Sequence, residues 1–481
     1  MNAFVVLAAG LAAAGLLPAL AVARRSVAVI FLAPLTGAFL AAVAAEIEFG
    51  LGGTLLADYV GLAIAVNVAV VAWWLTFGRK TRPAAGPRWW WSVATLAVIL
   101  GGLAFPVTDL RVPAIGADPG NIWLTHALLA YGGHHAYFTG LQGVGYRFSN
   151  PDYPPLVPAA EALAFRLRGL ADLHLGVDIT WLLTACALGV VAVGIAAAGA
   201  AAAKNSGRQP ALVAAVVAAG AICLAGFAVS GIDAADGYTD LLWAAAAVAA
   251  VIWGLVLPRG AQPLGVAWIC AAVASLTKNE GLTTAVVIIV LIALRYRPLT
   301  LHRPRLRPWA ERIAFAIVPA VPGLAWAATM HELGVTDNFF TSGSGETTAS
   351  RAGAAVTGIA AHLHAVGPVA LAVLVVGCLF LRRDRKRDGF GNPAWLWVAG
   401  LGSLTILFVT YVVGKIEIHA WLTSSAMRTT TFAQVLLYAD IAIWAVIAAD
   451  AVTEPRKRPS ETDSRTDRSP APARTPPPRV T

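Results

Sequence analysis

A few charged residues in this sequence stand at the ends of long apolar runs or inside them, where a charge is costly and is a functional candidate by default. Asp118 lies just ahead of Asn121-Ile122-Trp123-Leu124-Thr125-His126-Ala127-Leu128-Leu129-Ala130-Tyr131. A carboxylate partly desolvated at a lipid–water boundary suits general-base chemistry. With Pro119 after it, Asp118 also fits a helix N-cap, and the two roles are compatible. Asp152 and Tyr153 fall in Asn150-Pro151-Asp152-Tyr153-Pro154-Pro155-Leu156-Val157-Pro158. The four prolines of this stretch forbid a regular helix, so its extended, kinked backbone either aims a side chain or simply leads into the next helix. Asp240 enters an apolar run behind Asp233 and Asp236. Lys278 and Glu280 interrupt another run at Thr277-Lys278-Asn279-Glu280-Gly281, where the lysine either neutralises a phosphate or pairs with Glu280. Arg428 closes His419-Ala420-Trp421-Leu422-Thr423-Ser424-Ser425-Ala426-Met427-Arg428, which offers hydroxyls and a guanidinium suited to bidentate phosphate recognition. One base, several supporting carboxylates and two separated cations fit a phosphate-bearing lipid substrate.

The elements that must position these residues are membrane spans. The chain has 481 residues, of which 58% are apolar and 13% charged, and its mean hydropathy is +0.70. Soluble domains carry about 25% charged residues, so a cytosolic enzyme, a nucleic-acid binder and a disordered protein are excluded. Apolar runs near 3–23, 26–45, 59–77, 91–107, 179–203, 211–230, 238–257, 313–330, 356–381, 395–413 and 432–450 give eleven spans. Two thinner stretches, 264–276 and 281–294, meet at the Lys278 corner and bring the count to thirteen. We expect an all-α integral membrane protein with about 11–13 transmembrane helices and a large outer loop carrying amphipathic surface helices. The start, 1–23, lacks the basic region of a signal peptide and reads as a retained span.

Orientation follows from the basic residues: 20 Lys/Arg fall in one set of loops, 8 on the opposite side and 7 in the tail, while 17 of the 26 acids take the side poor in Lys/Arg. The expected organisation is N-terminal spans at 1–107, a first large outer loop at 108–178, further spans at 179–453 with a second outer loop at 330–356, and a disordered cytoplasmic tail at 454–481. Within 108–178, the Asn121–Tyr131 stretch reads as an amphipathic helix along the membrane surface. The Gly/Ser/Thr-rich second loop reads as a segment that orders on substrate binding. Cys186, Cys223, Cys270 and Cys378 lie inside apolar runs and read as core fillers. Eight of the nine histidines take the outer side, including His134-His135 and His362-Leu363-His364; a divalent metal stays open, with no residue singled out as a ligand.

In this order, an Asp before an Ile-Trp helix, Pro-Asp-Tyr-Pro-Pro-Leu-Val-Pro, Gly-Tyr-Thr-Asp, Thr-Lys-Asn-Glu-Gly and a late Thr-Ser-Ser-Ala-Met-Arg resemble the GT-C superfamily of integral membrane glycosyltransferases, over roughly 103–428. The resemblance implies an inverting transferase that moves a sugar from a polyprenyl-phosphate donor to an envelope glycan, glycolipid or protein, with its active site on the extracytoplasmic face of the plasma membrane. Residue by residue, it implies that Asp118 is the general base and that Asp152, with Tyr153 beside it, contacts or positions substrate. Asp240, Lys278, Glu280 and Arg428 would face the same cavity, with Lys278 and Arg428 holding the donor phosphate. Several members carry an Asp-Glu pair in the first loop, whereas here Asp118 is followed by Pro119. The competing classes are a transporter or flippase for a lipid-linked sugar, which a broken helix pair at Lys278 would suit, and a scaffold for a membrane complex. No internal repeat supports a carrier.

Overall fold

A computed structural model describes residues 3–24, 26–77, 89–104, 115–206, 209–296, 317–335, 345–380 and 393–452. The tail at 454–481, the basic loops around 78–88, 297–316 and 381–392, and the 336–344 part of the second outer loop lie outside the described residues. Among the described residues 87% are helical and none forms a strand. Ala-, Leu- and Val-rich runs make this outcome natural, since in lipid a helix satisfies its whole backbone internally.

α1 (Ala3–Ala23) and α2 (Ala28–Leu51) pack closely through Gly15 and Gly37. A Cβ on either glycine would stand 2.1 Å from a carbonyl oxygen of the other helix, so a larger residue would part them. α3 (Leu55–Phe77) exposes Ile64, Val68, Trp73 and Trp74, as a lipid-facing helix does. After α4 (Trp89–Ala104), the expected surface helix is a π-helical turn, Pro119–Trp123, running into α5 (Leu124–Tyr131). Its apolar side, Ile122, Trp123, Ala127 and Ala130, is buried in the main core. α6 (His134–Gln142), a 3-10 turn (Val144–Ser149) and α7 (Leu156–Arg168) complete this segment. α8 (Leu173–Ser206) starts six residues before the expected 179, because Asp172 Oδ1 accepts the Leu175 N–H at 3.2 Å and caps it.

α9 (Gln209–Ala235) leads to α10 (Asp240–Val251), which continues through a π turn, Ile252–Val256. All of α10 is buried, as expected of a helix apolar on nearly every side, and it forms the axis of the bundle. α11 (Ala261–Thr277) and α12 (Asn279–Arg295) follow. The span expected at 313–330 is described only as a 3-10 turn, Val318–Ala320, and the 12-residue α13 (Val321–Glu332), with Pro319 and Pro322 fixing the approach. The second outer loop is helical again from α14 (Thr348–Leu363), which Thr347 caps by accepting the Ser350 N–H at 3.2 Å. α14 and α15 (Gly367–Phe380) meet at a 73° bend. α16 (Ala394–Val413), α17 (Ile418–Thr429) and α18 (Thr431–Val452) close the described chain.

Among the described residues six helices are long and apolar enough to cross a bilayer, Ala3–Ala23, Ala28–Leu51, Leu55–Thr76, Leu173–Ala201, Ala394–Val413 and the run Ile418–Ala449 that joins α17 to α18, or seven if the bent pair α14 and α15 forms one span. Four shorter apolar helices accompany them: Ser92–Leu103, Ala211–Gly226, Asp240–Val256 and Ala261–Thr277. The protein is an all-α, multi-pass membrane protein. Cys186, Cys223 and Cys270 are buried and unbridged, and the Cys378 side chain lies outside the described residues.

Candidate functional site

The site begins at a helix broken by one residue. Lys278 is fully extended (φ −158°, ψ 156°) between α11 and α12. Gly281 lets the two halves touch, since a Cβ there would lie 2.1 Å from the Ala274 carbonyl oxygen. The break projects the lysine sideways onto the first residue of α10, and Lys278 Nζ donates to Asp240 Oδ1 at 2.8 Å. Glu280 Oε1 is 3.5 Å from the same ammonium and the Tyr153 ring centroid 5.7 Å away. Lys278 and Asp240 are 5% and 2% exposed. Such a pair stands only because each ion has the other.

The Pro-rich segment forms the facing wall. The Tyr153 N–H donates to the Asn150 carbonyl at 3.0 Å, closing a turn on Pro151 and Asp152, and Asn150 adopts a left-handed φ of 47°. The segment is thus a turn and not the extended course expected, and it ends at Pro155; Pro158 falls in the first turn of α7, where a missing N–H costs nothing. Asp152 is therefore aimed, and it is held twice. Its Oδ2 accepts from Asn279 Nδ2 at 2.7 Å and its carbonyl from Trp326 Nε1 at 3.0 Å. Burial pushes the Asp152 carboxyl up to about 6, against the lowering effect of its backbone and Asn279 hydrogen bonds. Tyr153 stacks on Trp123 at 5.3 Å, tying this wall to the π turn.

Asp118 does not cap. Its backbone is already helical (φ −67°, ψ −44°) and its side chain makes no capping hydrogen bond. The carboxylate instead pairs with the guanidinium of Arg428 on α17, and Arg428 also lies 5.2 Å over the Tyr238 ring. The pair is partly open, with side chains 20% exposed for Arg428 and 36% for Asp118.

Asp118, Asp152, Tyr153, Lys278, Glu280 and Arg428 thus line one cavity of about 480 Å³, and Asp240 stands directly behind Lys278. Three helices contribute stripes at helical spacing: Glu280, Thr283 and Thr284 from α12; Ser403, Ile406, Leu407, Thr410 and Tyr411 from α16; Trp421, Ser424, Ser425, Arg428 and Thr429 from α17. The cavity therefore extends from its charged groups to a mixed wall of α12 and α16, where Ile406 and Leu407 stand among Thr283, Thr284 and Ser403, and the last two hydrogen-bond at 3.1 Å. Tyr411 Oη bonds Ser425 Oγ at 2.9 Å and Thr429 Oγ1 at 2.8 Å, locking α16 to α17.

Sequence reasoning missed the α16 stripe, whose only signal is the uncharged Ser403, Thr410 and Tyr411 at helical spacing within an apolar run. It also passed over Asn279, the neighbour of two flagged residues, and Asp440, which is buried within α18 and bound by Trp397 Nε1 at 3.1 Å. Asp236 does not line the cavity; its carbonyl accepts the Gly116 N–H at 3.1 Å. The Asp233 side chain lies outside the described residues. His134 Nδ1–H donates to the Glu48 carbonyl at 2.6 Å, and among the described residues no group of three or more His, Cys, Asp or Glu is placed to hold a metal ion.

Compared with protein-family models, with curated proteins and with solved structures, the chain matches none.

Proposed function

We propose that this protein is an inverting glycosyltransferase of the GT-C type, moving a sugar from a polyprenyl-phosphate donor to an envelope acceptor on the extracytoplasmic face of the plasma membrane. In this reading the shorter apolar helices are thin crossings, and the spans number about 11–13. The observation that carries it is a partly open carboxylate, Asp118, in the same cavity as Lys278 and Arg428, within a protein of membrane-spanning helices.

Each part has a role in such a reaction. The prenyl chain leaves the cavity past Ile406 and Leu407 of α16, and its phosphate sits between Lys278 and Arg428. The N-terminus of α12, at Asn279, adds backbone N–H groups to the same anion. Asp118 takes the proton of the acceptor hydroxyl as that oxygen bonds to the anomeric carbon. The bond from the anomeric carbon to the phosphate oxygen breaks with its electron pair, and polyprenyl phosphate leaves as the monoester. The departing charge needs cations more than a proton donor, which gives Lys278 and Arg428 their catalytic value.

A carrier for a lipid-linked sugar would use the same cations and the same broken helix. The deciding experiment is transfer of radiolabelled sugar from polyprenyl-phosphate donors to an envelope fraction, with wild-type and Asp118→Asn membranes at matched expression. Transfer that is lost in the variant supports the enzyme. Donor binding without transfer in the wild type sinks it in favour of the carrier.

A further inference from the structure

The cavity has two chemically different sides. Lys278 and Arg428 come from the helices on one side, and the 115–153 segment supplies the other, with Asp118, which pairs with Arg428, and Asn121, Phe148 and Asn150. Phe148 is 60% exposed, whereas Tyr153 and Trp243 on the same cavity are buried and stacked on Trp123 and Phe432. Packing does not explain an open ring there. Nor is the ring loose, because Tyr146 stacks on it at 6.5 Å and 28°. The 3-10 turn carrying both rings is also held from behind. The Ser149 hydroxyl donates to the Tyr146 carbonyl at 2.7 Å, which leaves its oxygen to accept His126 Nε2–H at 3.1 Å. Immediately after this turn, Asn150 is the one non-glycine residue with positive φ among the described residues.

A fixed, open aromatic face flanked by two side-chain amides is the chemistry that recognises a sugar ring. The ring's C–H face packs on the aromatic surface, and amides both donate to hydroxyls and accept from them. A lipid acceptor would need an apolar wall in place of the amides, and a peptide has no flat ring to stack. We infer that Asn121, Phe148 and Asn150 form the acceptor subsite and that the acceptor is a glycan, stacked on Phe148 with one hydroxyl directed at Asp118. This rests on the transferase reading.

The test uses the purified full chain with a panel of polyprenyl-phosphate pentoses and hexoses as donors. Acceptors are octyl glycosides of one to three sugars, a Ser/Thr-containing peptide and diacylglycerol. The octyl glycosides should be the acceptors used. Phe148→Ala should raise their KM at least tenfold with the donor KM unchanged, and Phe148→Trp should restore it. Asn150→Gly, which accepts the left-handed backbone, should raise acceptor KM several-fold. Transfer to the peptide or to diacylglycerol in preference to glycans overturns the proposal, as does an acceptor KM indifferent to Phe148. If the wild type consumes no donor, with acceptor or with water, the transferase reading itself falls.

Discussion

Arg428 and Asp118, 310 residues apart in sequence, neutralise one another across the mouth of the cavity. The pairing means that an anion binding at Arg428 competes with the carboxylate for the guanidinium. A donor phosphate that did so would release Asp118 as a free base at the moment the donor is in place, so substrate binding and activation of the base become one event. Asp118→Asn should therefore separate two effects. Transfer should fall by about 10²–10⁴-fold, the usual worth of a general base. Affinity for a sugar-free prenyl phosphate should rise about 2–5-fold, since a partly exposed ion pair is worth roughly 0.5–1 kcal/mol. Calorimetric titration in detergent checks the second effect, and unchanged or weaker phosphate binding would remove the exchange idea.

The buried pair of Lys278 and Asp240 predicts non-additive stability. Removing one partner strands the other, at a cost of about 3–5 kcal/mol, whereas replacing both with apolar residues of similar size costs much less. Lys278→Met and Asp240→Leu should each lower the melting temperature of the detergent-solubilised protein steeply, and the double variant should recover most of the loss. Simple addition of the two losses would show that the pair is not coupled.

Arg351 reaches the site through the backbone. Its guanidinium donates to the carbonyls of Tyr411 at 2.7 Å and Ile416 at 2.6 Å and pairs with Glu346 at 2.7 Å. Glu346 in turn accepts the Ile418 N–H at 3.1 Å, so the two residues clamp the junction of α16 and α17. Lysine has no planar fork to serve these acceptors at once. Arg351→Lys should speed hydrogen exchange across 418–429 and lower transfer by about one to two orders of magnitude, as expected when a catalytic group is misplaced by an ångström. Normal exchange in that segment would show that the clamp is dispensable.

His126 gives a stability window in pH. Burial pushes its imidazole down to about 4 from an unfolded value of about 6.5. Between those values the unfolded chain binds a proton that the folded chain refuses, so stability falls as pH drops from 6.5 toward 4, by up to about 3 kcal/mol. His126→Gln should flatten that part of the curve in thermal melts at stepped pH. An unchanged slope would assign it to other groups.

The charged residues were legible in the sequence because lipid makes any retained charge conspicuous. Asp118, Asp152, Lys278 and Arg428 each announced themselves against an apolar background, and the break at Lys278 showed as a polar corner between two short runs. Their pairing did not, since nothing local says that Lys278 turns to Asp240 and not only to Glu280, or that Asp118 chooses an arginine 310 residues away over its own helix end. A boundary failed where short-range chemistry overrode the apolar run, at Asp172, which starts α8 early, while the start expected at 313 lies outside the described residues. The α16 stripe stayed hidden because Ser403, Thr410 and Tyr411 carry no charge and blend into a span.

That separation of 310 residues between Asp118 and Arg428 is also an interval of time. At about 5–20 residues per second of synthesis, the carboxylate reaches the membrane roughly 15–60 s ahead of the arginine that will restrain it. During that interval the wall formed by α16 and α17 does not yet exist, so the cavity that Asp118 lines closes only late in the making of the chain.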